Sequence, residues 1–109
     1  MIINFDEIKS NTYPNFCGGN GALTIKAYAD NLNKALIGEL EPNSEVGYHT
    51  HTTNSEFYFI LKGTGVVQYD DNEELVKEGS LHYCPKGHSH KLTNTGSEKM
   101  TFLAIIPEQ

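Results

Sequence analysis

Three histidines and one glutamate stand at intervals that a divalent metal ion could use. His49 and His51 flank Thr50, Glu56 follows within a few residues, and His90 lies well downstream. Side chains of a β-strand alternate between its two faces, so His49 and His51 in one strand-like run point the same way. Imidazole nitrogens and a carboxylate oxygen are ligands preferred by iron, manganese, nickel, zinc and copper. Four protein ligands around a six-coordinate ion leave two positions open, where a substrate can be polarised or oxygen held. Taken singly, each residue has a plainer reading, as a loop histidine or a solvated carboxylate.

The intervening residues make the set specific. His49-Thr50-His51 is followed by four residues, Glu56, six residues and Gly63. A second run reads Gly79, five residues, Pro85-Lys86-Gly87, two residues, His90, three residues and Asn94. The two runs closely resemble the paired motifs of the cupin family, HxH(x)4E(x)6G and G(x)5PxG(x)2H(x)3N. Fifteen residues separate Gly63 from Gly79, a short gap typical of small cupins. The resemblance extends from about Leu36 to Pro107 and implies a double-stranded β-helix, or jelly-roll barrel, with His49, His51, Glu56 and His90 as metal ligands. One departure is Asn43, where the family usually has a turn glycine. Asparagine tolerates left-handed backbone better than most residues, so the turn should survive.

Elements that would position these residues can be read from the turn signals. Strands are expected at Leu23–Ala29, Ala35–Leu40, Glu56–Lys62, Val66–Tyr69, Glu74–Lys77, Ser80–Cys84, His90–Asn94 and Met100–Ile106. Pro14–Gly21 reads as a loop, Pro42-Asn43 and Asp70-Asp71-Asn72 as turns, and residues 2–9 as a strand or a single helical turn. Short strands at this spacing indicate an all-β sandwich or barrel, and jelly rolls are where cupins belong. The chain of 109 residues suits one cupin domain spanning residues 1–109. Its core would lie at about 36–107, with residues 1–35 adding strands to the same barrel or to a dimer interface.

Around the ligands, Thr50, Asn54, Ser55 and Gln68 are candidate acceptors for the second ring nitrogens of the histidines. From Glu56, period 2 puts Tyr58 and Ile60 on the ligand face, where Tyr58 would line the pocket. Phe57, Phe59 and Leu61 fall on the opposite face, and with both faces apolar the strand is expected to meet bulk water on neither. His88 is an exposed histidine or, if it faces the pocket mouth, a candidate proton shuttle. His88 and Tyr58 are therefore the candidate catalytic residues. His82 reads as a core or sheet-face histidine and Cys84 as a small buried apolar residue. Lys26 and Tyr28 are further candidate lining residues.

A formal charge of −6 without a Lys/Arg cluster argues against nucleic acid as a partner. Neither an apolar run long enough to cross a bilayer nor a secretory leader is evident. Two cysteines, Cys17 and Cys84, are too few for a disulfide scaffold, which points to free thiols and the cytoplasm. The expected function is a metal-dependent enzyme acting on a small polar metabolite, as dioxygenase, isomerase or epimerase, decarboxylase or lyase. The alternative is a non-catalytic, sugar- or metabolite-binding or sensory cupin. The apolar row Phe57, Phe59 and Leu61 suggests a homodimer.

Overall fold

The computed structural model describes residues 1–109. A 3-10 turn at Phe5–Glu7 precedes ten strands, and a second at Phe16–Gly18 interrupts them. The strands are β1 (Asn11–Pro14), β2 (Ala22–Ala29), β3 (Asn33–Leu40), β4 (Glu45–Thr50) and β5 (Glu56–Lys62), followed by β6 (Thr64–Tyr69), β7 (Asn72–Lys77), β8 (Leu81–Cys84), β9 (Ser89–Asn94) and β10 (Met100–Pro107). They form two antiparallel sheets, one ordered β1-β2-β3-β10-β5-β8 and the other β4-β9-β6-β7. This is the expected all-β jelly roll.

The strands follow from alternation. Along β10 every second residue, Met100, Phe102 and Ala104, is buried, and along β9 the buried set is His90, Leu92 and Asn94. Met100, Phe102, Ala104 and Leu92 pack with Leu23, Leu36, Leu40, Val46, Ile60 and Val67 in one core between the sheets. Asn43 does adopt the left-handed conformation, φ 65°, and Asp70 turns the β6–β7 hairpin with φ 50°. The motif glycines Gly63, Gly79 and Gly87 also have positive φ, a conformation that glycine reaches without a Cβ clash.

Three features depart from expectation. Asn11–Pro14 pairs with β2 as an additional edge strand; its polar residues carry no apolar alternation to announce it. His51 lies one residue past the end of β4 rather than inside it. The outer face of β5 is also not shielded: Phe59 and Leu61 are exposed, and so are Leu81 and Tyr83 on neighbouring β8. Apolar side chains on both faces of a strand need a covering layer on each, and the fold supplies only the inner one.

Candidate metal centre

Each of the four candidate ligands reaches the centre by a different device. In β4, Val46 pairs with Leu92 and His49 with His90, so β4 carries one extra residue between those pairs. That bulge reverses the alternation and turns His49 to the inner face, which unbroken period 2 from buried Val46 would deny it. Gly47 sits in the bulge, and a Cβ there would overlap the Cys17 carbonyl oxygen and the Gly19 amide nitrogen. His51, beyond the strand, is held through its backbone: its N–H donates to the His88 carbonyl at 3.0 Å and its carbonyl accepts from Gly87 N–H at 2.6 Å. The second motif's loop thus secures a candidate ligand of the first. Glu56 opens β5, and His90 lies on the buried face of β9.

The four converge. His51 Nε2 and His90 Nε2 are 3.0 Å apart, and His90 Nε2 and His49 Nε2 3.1 Å. Glu56 Oε1 lies 3.1 Å from His51 Nε2, 3.0 Å from His90 Nε2 and 3.6 Å from His49 Nε2. Adjacent ligands at about 2.1 Å from an octahedral ion are about 3.0 Å apart, and four of the five separations match that edge.

Proton bookkeeping points the same way. His49 Nδ1 faces the Gly47 carbonyl at 2.7 Å, and a carbonyl can only accept, so the proton is on Nδ1. His51 Nδ1 faces Asn54 Oδ1 at 2.5 Å; the Asn54 amide is oriented by donating its Nδ2 to Glu108 at 3.0 Å, which makes Oδ1 the acceptor. His90 Nδ1 faces His82 Nε2 at 3.0 Å, and His82 Nδ1 faces the Glu74 carboxylate at 2.8 Å. With Nδ1–H donated to Glu74, His82 presents Nε2 as the acceptor for His90 Nδ1. With one proton per ring, on Nδ1, all three Nε2 atoms would present lone pairs to one another and to a carboxylate. Such an arrangement is repulsive until a cation or protons fill it, and this donor set fits a divalent metal ion.

Without a metal, protons take that place. Burial opposes the charge on Glu56, but hydrogen bonds from His49, His51 and His90 outweigh it and hold the carboxyl well below the usual range. The bond to Glu56 raises His51 against the effect of burial, whereas burial lowers His90. Tyr58 lies beneath the cluster, its ring stacked on His90 at 4.8 Å and 3° and its hydroxyl 3.4 Å from His90 Nε2. Burial, then the Glu56 charge, push its phenol well above the ordinary value, so it stays a neutral hydrogen-bond donor.

A cavity of about 330 Å³ opens beside the cluster and touches His49, His51, Glu56 and Tyr58. A family model described as a cupin domain matches residues 36–106. The chain belongs to the cupin family. An oxalate-binding protein of Thermotoga maritima is 32% identical to this cupin over 97% of the chain and 93% of that protein. A crystal structure described as a predicted oxalate decarboxylase, also from Thermotoga maritima, superposes with a TM-score of 0.94 at 30% identity, covering 100% of both chains. A glucose-6-phosphate isomerase of Thermococcus litoralis is 35% identical over 55% of this cupin but only 34% of that enzyme.

The remaining residues singled out from sequence are placed as follows. His88 does not line the cavity; its side chain is 44% exposed and its Nδ1 bonds Asp70 at 2.6 Å. Of the proposed acceptors, Asn54 meets His51, whereas Thr50 bonds Ser89, Gln68 bonds the Asp70 carbonyl, and the Ser55 hydroxyl is buried without a partner. Lys26 and Tyr28 do not line the cavity; Leu23, Ile25 and Ala29 line it from β2. The contribution of Glu74 and His82 escaped sequence reasoning. One signal was available: His82 shares a strand face with Cys84, which reads as buried, so His82 had to be buried and partnered.

Proposed function

We propose that this cupin holds one divalent metal ion through His49, His51, Glu56 and His90 and acts as an enzyme on a small metal-chelating metabolite bound in the adjoining cavity. The observation that carries this reading is the convergence of three Nε2 atoms and one carboxylate at ligand-edge spacing, with every second ring nitrogen engaged. Bound there, the ion would supply Lewis-acid polarisation of a carbonyl or carboxylate and a template for the substrate. The protein's part is orientation and proton placement. Gly47, Asn54 and the Glu74–His82 pair fix the three rings. Tyr58 offers a neutral O–H on the cavity wall to an oxygen on which charge develops. Iron, manganese, zinc, nickel and copper all suit the donor set. The test is depletion of 2-oxo acids, hydroxy acids and sugar phosphates by metal-loaded protein, with oxygen uptake recorded in parallel. Turnover that disappears with chelation and returns with metal supports an enzyme.

A second reading is ligand binding without turnover. It is favoured by the name of the full-length Thermotoga maritima relative, an oxalate-binding protein, and by the absence of any non-ligand imidazole from the cavity wall. Tight binding with no chemistry on any of those substrates would select it.

We also propose that two copies of the chain associate through the outer face of β5 and β8. Leu81 is 62% and Tyr83 44% exposed there, beside Phe59 and Leu61. An apolar patch on a sheet face is uncommon in a monomer. Light scattering at micromolar concentration should give twice the chain mass. The unpaired Cys17 and Cys84 support a reducing, cytoplasmic setting.

A further inference from the structure

Beyond the ligand cluster, the cavity has two features that the four metal ligands do not explain. The first is its apolar extent. Phe16, Ile25, Leu36, Val46, Phe102 and Ile106 line most of the wall away from the histidines. At about 30 Å³ per water-sized volume, the 330 Å³ cavity holds roughly eleven such volumes. Oxalate, a two-carbon dianion with no apolar group, would leave the apolar wall wet or empty.

The second feature is Lys34. It is the only cationic side chain on the cavity wall. In the six-stranded sheet, Lys34 pairs with Ala29 on one side and Ile106 on the other, and all three line the cavity. Ile105 pairs with Phe57, so the next residues, Ile106 and Glu56, continue the row that Lys34 occupies. Two strand spacings, roughly 10 Å of backbone, separate Lys34 from Glu56, a gap that a lysine side chain and a small ligand together span. Lys34 has no ion-pair partner, as is true of every lysine except Lys91 and Lys99. The neighbouring carboxylates on the wall are already engaged. Asp30 accepts from the Leu32 and Asn33 amides at 2.9 and 2.8 Å and from Tyr28 Oη at 3.0 Å. Glu108 accepts from Asn54 at 3.0 Å. The half-buried Lys34 ammonium therefore makes no direct ion pair on the cavity wall.

We infer that the ligand of this site is an anionic chelator with an apolar body, a 2-oxo or 2-hydroxy carboxylate bearing an aromatic or branched aliphatic group, and that Lys34 is the residue that selects its negative charge. The inference rests on the metal-site reading above. A divalent ion with one carboxylate ligand keeps net positive charge, which Lys34 reinforces, and the apolar wall rewards a side chain that oxalate and pyruvate lack.

The experiment is calorimetric titration of the zinc-loaded full chain with phenylpyruvate, 4-methyl-2-oxopentanoate, pyruvate and oxalate. Phenylpyruvate should bind at least about tenfold tighter than pyruvate or oxalate. Lys34→Met should weaken phenylpyruvate about tenfold while zinc uptake is unchanged, and Lys34→Arg should retain most of the affinity. Equal or tighter binding of oxalate, or a Lys34→Met protein that binds phenylpyruvate as wild type does, would overturn the inference while leaving the metal site standing. Failure of the wild-type chain to take up zinc or any other divalent ion would reject the metal-site reading and this inference with it.

Discussion

The two ends of the cavity are built on opposite principles. At the donor end, each ring is fixed by a directional hydrogen bond: His49 to Gly47, His51 to Asn54, His90 to His82 and through it to Glu74. At the other end, Phe102, Ile25 and Leu36 are placed by packing alone, and the space between them is left open. Directional bonds fix the orientation that ligation needs, within a few tenths of an ångström. Packing fixes shape and supplies stability. A change at the donor end should therefore act on metal affinity with little effect on folding, and a change at the apolar end should do the reverse.

The largest expected effect is at His90. His90→Ala removes the nitrogen that touches all three other ligands, and stoichiometric metal uptake should vanish, read by equilibrium dialysis. At the apolar end, Phe102→Ala should cost about 3 kcal/mol of stability in urea denaturation, near the lower limit for such substitutions because one side of the ring already borders open space. Its metal affinity should stay close to that of wild type. If Phe102→Ala stripped the metal while remaining folded, the two ends would not be separable in this way.

The hydrogen-bonded support of His90 sharpens the comparison. His82→Phe keeps an aromatic ring in the buried position but removes the acceptor for His90 Nδ1–H. Metal affinity should fall about 10- to 100-fold, the usual range for a group that orients a ligand, and thermal stability of the metal-free protein should change far less.

Proton competition gives a further test. The folded-state pKa of His51 is raised above 6.5 by Glu56. In the metal-free protein this interaction stabilises the fold fully below pH 6.5 and is lost as pH rises through the raised value. The ion must displace that proton, so metal affinity should begin to fall while pH is still above 6.5 and continue to fall below it. Burial lowers His90, so it adds less to the competition than His51 does. Titration with metal across this range should release protons, with the release increasing as pH falls toward 6.5.

The smallest effect is expected at Ser55, next to Glu56 in the chain. Its hydroxyl is buried without a partner. Ser55→Ala should leave metal affinity unchanged and stabilise the protein by up to about 1 kcal/mol, because an unsatisfied buried hydroxyl carries a desolvation penalty.

Much of the donor end was legible in the sequence because the motif spacing names its residues. His49, His51, Glu56 and His90 are brought together, and Asn43 keeps the left-handed turn expected of it. The β4 bulge was not read, although Gly47 inside the strand was a signal for it. Nor was the Glu74–His82–His90 chain, which runs across both sheets through two residues that the motif spacing does not specify, Glu74 and His82. His88 shows the limit of proximity along the chain. It stands two residues from His90, yet the backbone of the Pro85–His88 turn serves His51 while its side chain pairs with Asp70. The apolar end could be anticipated only as a set of inward strand positions. Which of them line a cavity depends on how the two sheets close.

The most direct measurement is elemental analysis of the wild-type chain purified without added metal, paired with thermal melting before and after chelation. Close to one divalent ion per chain, and a melting temperature that drops on chelation and recovers with metal, is the result expected of the His49–His51–Glu56–His90 centre. A chain that carries no metal, and whose melting temperature does not respond to iron, manganese, nickel, zinc or copper, would contradict it.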